Sequence, residues 1–131
     1  MKPIQVGLLG IGTVGSGVFK VLARNQSEIK RRAGRGIEIA EVAARQIDKV
    51  RAVVGAEMKI VANPMDVVNN PNIDIVVEVI GGTTLAKDLV LQAISNGKHV
   101  VTANKALLAE FGNEIFAAAH AKGVMVAFEG A

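Results

Sequence analysis

Residues 4–15 read IQVGLLGIGTVG, and the order of residue types in this stretch decides the fold. IQVGLL, residues 4–9, is short, apolar and bounded by Gly10, as expected of a strand. Gly10, Gly12 and Gly15 then form a G-x-G-x-x-G. From Thr13 the hydrophobic period becomes helical, with Val14, Val18, Val21, Leu22 and Ile29 on one face. Glycine is common here, with 14 in the chain, so the context carries the signal rather than the spacing alone. Gly10 permits a tight turn out of the strand. Gly12 has no Cβ, so a pyrophosphate can approach its backbone. Gly15 lets the helix pack close to the strand. The N–H groups of Thr13 and Val14 then face the anion, helped by the helix dipole. A turn without a ligand is the competing reading, but three glycines weaken strand and helix with no compensating contact.

Outward from this stretch, strands and helices alternate. Strands are expected at 37–44 (IEIAEVAA), 59–61, 73–80 (IDIVVEVI), 99–102 and 124–128. A short helix over 48–54 is stopped by Gly55, and Asn63-Pro64 caps and starts another. A helix over 84–96 turns Leu85, Leu89, Ala93 and Ile94 inward and ends at Gly97. A last helix over 104–122 presents Leu108, Phe111, Ile115 and Ala118 on one face and stops at Gly123. Helical connections imply parallel pairing through right-handed crossovers. The expected fold is α/β: one Rossmann-type domain over 1–131, a doubly wound parallel sheet with helices on both faces. Such sheets bind ligands at the carboxyl ends of their strands.

Composition removes several function classes. Half of the residues are hydrophobic, which excludes a disordered chain. The net charge is only +3 and there is no Trp or Tyr, so no nucleic-acid partner is expected. The basic cluster Lys30, Arg31, Arg32 and Arg35 reads as a solvated helix end. With no cysteine, disulfides and thiolate metal sites are excluded. The apolar runs are too short to span a membrane, and the N-terminus lacks signal-peptide anatomy, so a cytoplasmic location is expected.

Three further places invite chemistry. At the end of the second strand, where an NAD site offers Asp or Glu, this chain has Arg45. A guanidinium suits a 2′-phosphate, so NADP(H) is preferred over NAD(H). Gly81-Gly82, after the 73–80 strand, would let a nicotinamide ribose pass close to the backbone, or would make a simple turn. Lys105 opens a helix, where a cation is electrostatically disfavoured. An anionic ligand or polarised carbonyl would compensate it; a lysine snorkelling into solvent is the alternative. Glu78 is given no role, and His99 and His120 read as structural or surface residues.

VGLLGIGTVGSGV, AARQID, DIVVEVIGG and GKHVVTANKALLA together resemble the homoserine dehydrogenase family, in order and spacing, over essentially the whole chain. The resemblance implies NAD(P)H-dependent reduction of L-aspartate 4-semialdehyde to L-homoserine, on the route to threonine and methionine. It maps the cofactor-binding residues onto Gly10, Gly12, Thr13, Val14 and Gly15, and the lysine beside nicotinamide and substrate onto Lys105, the expected catalytic residue. It places a monovalent cation ligand of the complete enzyme at Glu129. It also implies a homodimer in the complete enzyme and a substrate-binding and dimerisation region that this chain lacks, so the chain alone is expected to bind cofactor without turnover. Two other readings stand beside it: the cofactor domain of another Rossmann dehydrogenase, and a nucleotide-sensing module without catalysis.

Overall fold

Six strands, β1 (Ile4–Leu9), β2 (Ile37–Ala43), β3 (Lys59–Val61), β4 (Ile75–Glu78), β5 (His99–Thr102) and β6 (Val126–Phe128), make one sheet in the order β3-β2-β1-β4-β5-β6. All five pairings are parallel. The computed structural model describes residues 2–10, 17, 19, 20, 24, 27, 30, 31 and 34–128. Four helices are bounded within these residues: α1 (Ile47–Val54), α2 (Pro64–Val68), α3 (Thr84–Ser95) and α4 (Lys105–Lys122). Residues 17, 19, 20, 24, 27, 30 and 31, between β1 and β2, are also helical. The expected apolar face of that segment, Val14, Val18, Val21, Leu22 and Ile29, lies outside the described residues.

β1 is covered on both faces because its side chains alternate between two cores. Leu9 joins Val76, Val67, Leu89 and Ile115, under α2, α3 and α4. Val6 and Leu8 join Val42, Val77 and Val50, with Phe19 and α1 on the other side. The helices therefore lie on both faces, and the sheet is doubly wound as expected.

Close packing explains Gly7, which the turn chemistry does not. A Cβ there would stand 2.3 Å from Cγ1 of Val67, a fully buried side chain. Gly7→Ala should therefore destabilise the domain by about 1–3 kcal/mol through overpacking. Urea denaturation would measure it, and a loss below about 0.5 kcal/mol, the range of innocuous surface changes, would contradict it.

The helix caps follow the sequence. Asn63 accepts the Met65 N–H at 2.9 Å with Pro64 in the first turn, and Gly123 closes α4 with φ +76°. Three expectations need correction. Leu85 does not turn inward: it is 43% exposed, and the buried face of α3 is Ala86, Leu89, Val90, Ala93 and Ile94. In α4 the buried line is Leu107, Gly112, Ile115 and Ala119, while Leu108, Phe111 and Ala118 only border the core. Finally, β4 spans four residues and β6 three, shorter than the apolar runs that suggested them.

Charged residues inside the fold have partners that hold strands together. Glu41 on β2 reaches the ammonium of Lys59, its register neighbour on β3, at 2.7 Å. That contact raises the pKa of Lys59. Lys98 is buried and donates to the carbonyls of Asn70 (2.6 Å) and Ile73 (2.8 Å). Burial lowers its pKa, against the opposing charge of Asp74. Lys98 precedes β5, so it ties down the entry side of the sheet, away from the strand ends expected to bind a ligand.

Candidate functional site

The strand order reverses between β1 and β4: the chain leaves β1 towards β2 on one side and returns beyond it to β4 on the other. Crevices form where neighbouring strands send their connections to opposite faces. Here the turn after β1 meets the turn after β4. Gly10 has φ +86° and donates its N–H to the Ala43 carbonyl at 2.9 Å. A Cβ on it would lie 3.2 Å from Cα of Ile80. Gly10 is thus required twice, by its left-handed backbone and by the approach of the second turn. Gly12, Thr13, Val14 and Gly15 lie outside the described residues, as does Glu129.

A groove of about 710 Å³ opens at this point. Its walls include Gly10, Arg45, Lys49, Val53, Gly81 and Leu85. Arg45 lies two residues beyond the end of β2 and is exposed. Lys49, in the first turn of α1, is also exposed and lines the same groove. Neither cation has a carboxylate partner among the described residues. Sequence reasoning named Arg45 and missed Lys49. The available signal was the short gap: α1 starts two residues after Arg45, so a cation in its first turn stays at the same end of the sheet. The exposed apolar faces of Val53 and Leu85 give the groove a surface on which a flat ring can rest. A second cavity, of about 630 Å³, is lined by Arg35, Asp74, Lys98 and His99 at the opposite, N-terminal ends of the strands. It is larger than a water pocket but is away from the switch point.

The other end of the groove is organised by Glu78, the last residue of β4 and fully buried. Its Oε2 accepts the N–H of Ile80 at 2.8 Å and of Gly81 at 3.4 Å. Its Oε1 accepts the Thr102 hydroxyl at 2.7 Å. Thr102 Oγ1 in turn accepts the Asn104 N–H at 3.0 Å. The Asn104 side chain caps α4 through the Leu107 N–H at 3.0 Å and donates its amide to the carbonyl of Gly82. Sequence reasoning gave Glu78 no role. Its signal was an acidic residue after the apolar run Ile75–Val77, two residues before Ile80.

Gly81 and Gly82 have φ +87° and +73°, and a Cβ on either would meet nothing within 4 Å. Backbone conformation, rather than crowding, calls for glycine there. Lys105 is the first residue of α4, next to the capping Asn104, and is exposed. Among the described residues no carboxylate pairs with it. His99 begins β5 and accepts the Met125 N–H on Nδ1; His120 is in the last turn of α4. His99 lines the second cavity, at the opposite ends of the strands, and neither histidine lines the groove. The described residues hold no group of three or more His, Asp or Glu placed to bind a metal. None of the described helices is long and apolar enough to cross a membrane.

This arrangement suits an elongated anionic ligand. Cations stand at the β2 end, a left-handed glycine turn and exposed apolar faces border the middle, and an exposed lysine follows the hydrogen-bonded strand end. The sequence profile described as "Homoserine dehydrogenase, NAD binding domain" matches residues 10–129. The homoserine dehydrogenase of Pseudomonas aeruginosa is 63% identical over the whole chain, and that of Neisseria gonorrhoeae is 50% identical, also over the whole chain. The chain spans 30% of the length of each. The crystal structure of a homoserine dehydrogenase from Thiobacillus denitrificans superimposes with a TM-score of 0.94 at 63% identity, covering 98% of this chain and 30% of that one. A homoserine dehydrogenase of S. aureus gives a TM-score of 0.91 at 36% identity, covering 98% of this chain and 33% of that one.

Proposed function

Because the chain belongs to the family of homoserine dehydrogenase NAD-binding domains, we propose that it is the cofactor-binding part of an enzyme reducing L-aspartate 4-semialdehyde to L-homoserine. The observation that carries this reading is the groove at the switch point, with cations at one end and Lys105 following the other. A bound nicotinamide dinucleotide would supply the hydride.

Arg45 and Lys49 together favour NADP(H) over NAD(H), since a 2′-phosphate adds negative charge where two cations line one wall. Residues 10–15 would take the pyrophosphate on their N–H groups. Gly81 and Gly82 would border the nicotinamide ribose. Lys105 would hold positive charge near the carbonyl oxygen as it becomes an alkoxide. In the complete enzyme, the remaining parts would hold the substrate and the proton donor, Glu129 would help bind a monovalent cation, and two copies would form a cytoplasmic homodimer. A nucleotide sensor without chemistry would have no use for an exposed lysine at a helix start, where its charge is disfavoured.

Titration of the chain and of the full-length protein with NADPH and NADH, followed by nicotinamide fluorescence at fixed salt, tests the reading. Both should bind the full-length protein, NADPH about 10-fold or more tightly, as expected for one added charge-assisted contact. Binding of neither by the full-length protein would refute it.

A further inference from the structure

We infer that Glu78 is a positioning residue, whose buried carboxyl group acts through Thr102 and Asn104 to fix the Gly81–Gly82 turn and the start of α4 beside the cofactor. This rests on the reading of the groove as a nicotinamide-dinucleotide site.

A carboxyl group with no exposed surface is an expensive way to fill space, and an apolar residue would pack a strand end more cheaply. Glu78 is therefore to be explained by what its oxygens hold. They hold two things. Oε2 takes the N–H groups of Ile80 and Gly81, which fixes the exit from β4. Oε1 takes the Thr102 hydroxyl, which fixes the exit from β5. The circuit then closes: Thr102 receives the Asn104 N–H, and the Asn104 amide returns to Gly82. Two of its links, Thr102 to Glu78 and Asn104 to Gly82, join one strand exit to the other. The two groups at its rim are the glycine turn and Lys105.

The direction of the bonds matters. Thr102 Oγ1 accepts from Asn104, so its own proton goes to Glu78. In Glu78→Gln, the amide oxygen must face the two backbone N–H groups. The amide nitrogen then faces Thr102, whose hydroxyl can accept it only by turning its own proton away, so that this donor loses its acceptor in a fully buried site. Shape is kept while one link of the circuit is lost.

The test compares two ligands on the full-length protein by calorimetry: NADPH, and 2′-phospho-ADP-ribose, which lacks the nicotinamide. Glu78→Gln should weaken NADPH about 10-fold, as expected for one buried unsatisfied donor, and change 2′-phospho-ADP-ribose by less than about 2-fold. Thr102→Val should give the same split, and Thr102→Ser should restore wild-type binding of both. Should Glu78→Gln fail to fold, the Thr102 pair decides by the same criterion. Equal weakening of both ligands would mean a merely structural role and would overturn the inference, as would no change in either. If the wild-type protein bound neither ligand, the cofactor reading would fail first and this inference with it.

Discussion

Lys105→Ala should lower kcat of the full-length enzyme about 10²–10⁴-fold, the usual range for a group that supplies charge or a proton to a transition state. NADPH affinity should move only a few-fold, because Arg45 and Lys49, at the β2 end of the groove, would hold the 2′-phosphate without it. Lys105 occupies the first position of α4, where the unpaired N–H groups already concentrate positive charge. A lysine there costs stability, roughly 0.3–1 kcal/mol if exposed. Among the described residues no acidic partner offsets that cost. The Asn104 cap, with its Leu107 N–H bond, already supplies the local structure. Alanine is also the best helix former. The variant should therefore fold as well as the parent or slightly better, and Tm should stay level or rise. Loss of rate with retained stability separates a chemical role from a structural one. A kcat within about 10-fold of wild type, less than one general acid–base or electrostatic contribution, would sink the assignment.

The parts of this protein that were legible in its sequence are those fixed by local chemistry. Alternating or continuous β-branched runs announced all six strands, and Asn63-Pro64, Gly55, Gly97 and Gly123 marked helix ends where the structure has them. Gly10 was legible because a left-handed turn after a buried strand leaves few alternatives. Details that depend on tertiary packing were not. Leu85 fits the helical period of α3, yet it is exposed on the groove wall, because the period identifies a face only to within a residue. The same error of one position misplaced the buried line of α4. Gly7 carries no turn signal, and only the proximity of Val67 explains it.

The candidate site was half legible for the same reason. Arg45, Gly81, Gly82 and Lys105 stand at the ends of strands or the start of a helix, and sequence order alone puts them at one edge of a parallel sheet. Lys49 and Glu78 carried weaker signals, whose meaning needed three dimensions. Lys49 looks like any solvated helix lysine until α1 is seen to start beside the groove. Glu78 looks like a defect in an apolar strand until Thr102, 24 residues away, is seen to donate to it. Hydrogen bonds between distant residues have no period and leave no mark in a single sequence.

Arg45→Asp should reverse the cofactor preference, moving the ratio of NADPH to NADH affinity by about 10²-fold or more. Two terms act together. Losing a guanidinium contact to a phosphate removes a charge-assisted hydrogen bond worth roughly 1.5–3 kcal/mol. The new carboxylate would repel a 2′-phosphate but can accept a hydrogen bond from the free 2′-hydroxyl of NADH, as acidic residues at this strand end do. Lys49 remains on the same wall and should keep NADPH binding from vanishing. Lys49→Ala alone should thus weaken NADPH less than Arg45→Asp and leave NADH nearly unchanged. Both side chains are exposed, so their attraction for phosphate is screened by salt. The wild-type preference should narrow as ionic strength rises, whereas the Arg45→Asp preference for NADH, which rests on a neutral hydroxyl, should hold. Parallel titrations of both cofactors at low and high salt would show this directly. An unchanged ratio in Arg45→Asp would place the 2′-phosphate away from the end of β2 and leave the two cations of the groove without a ligand to explain them.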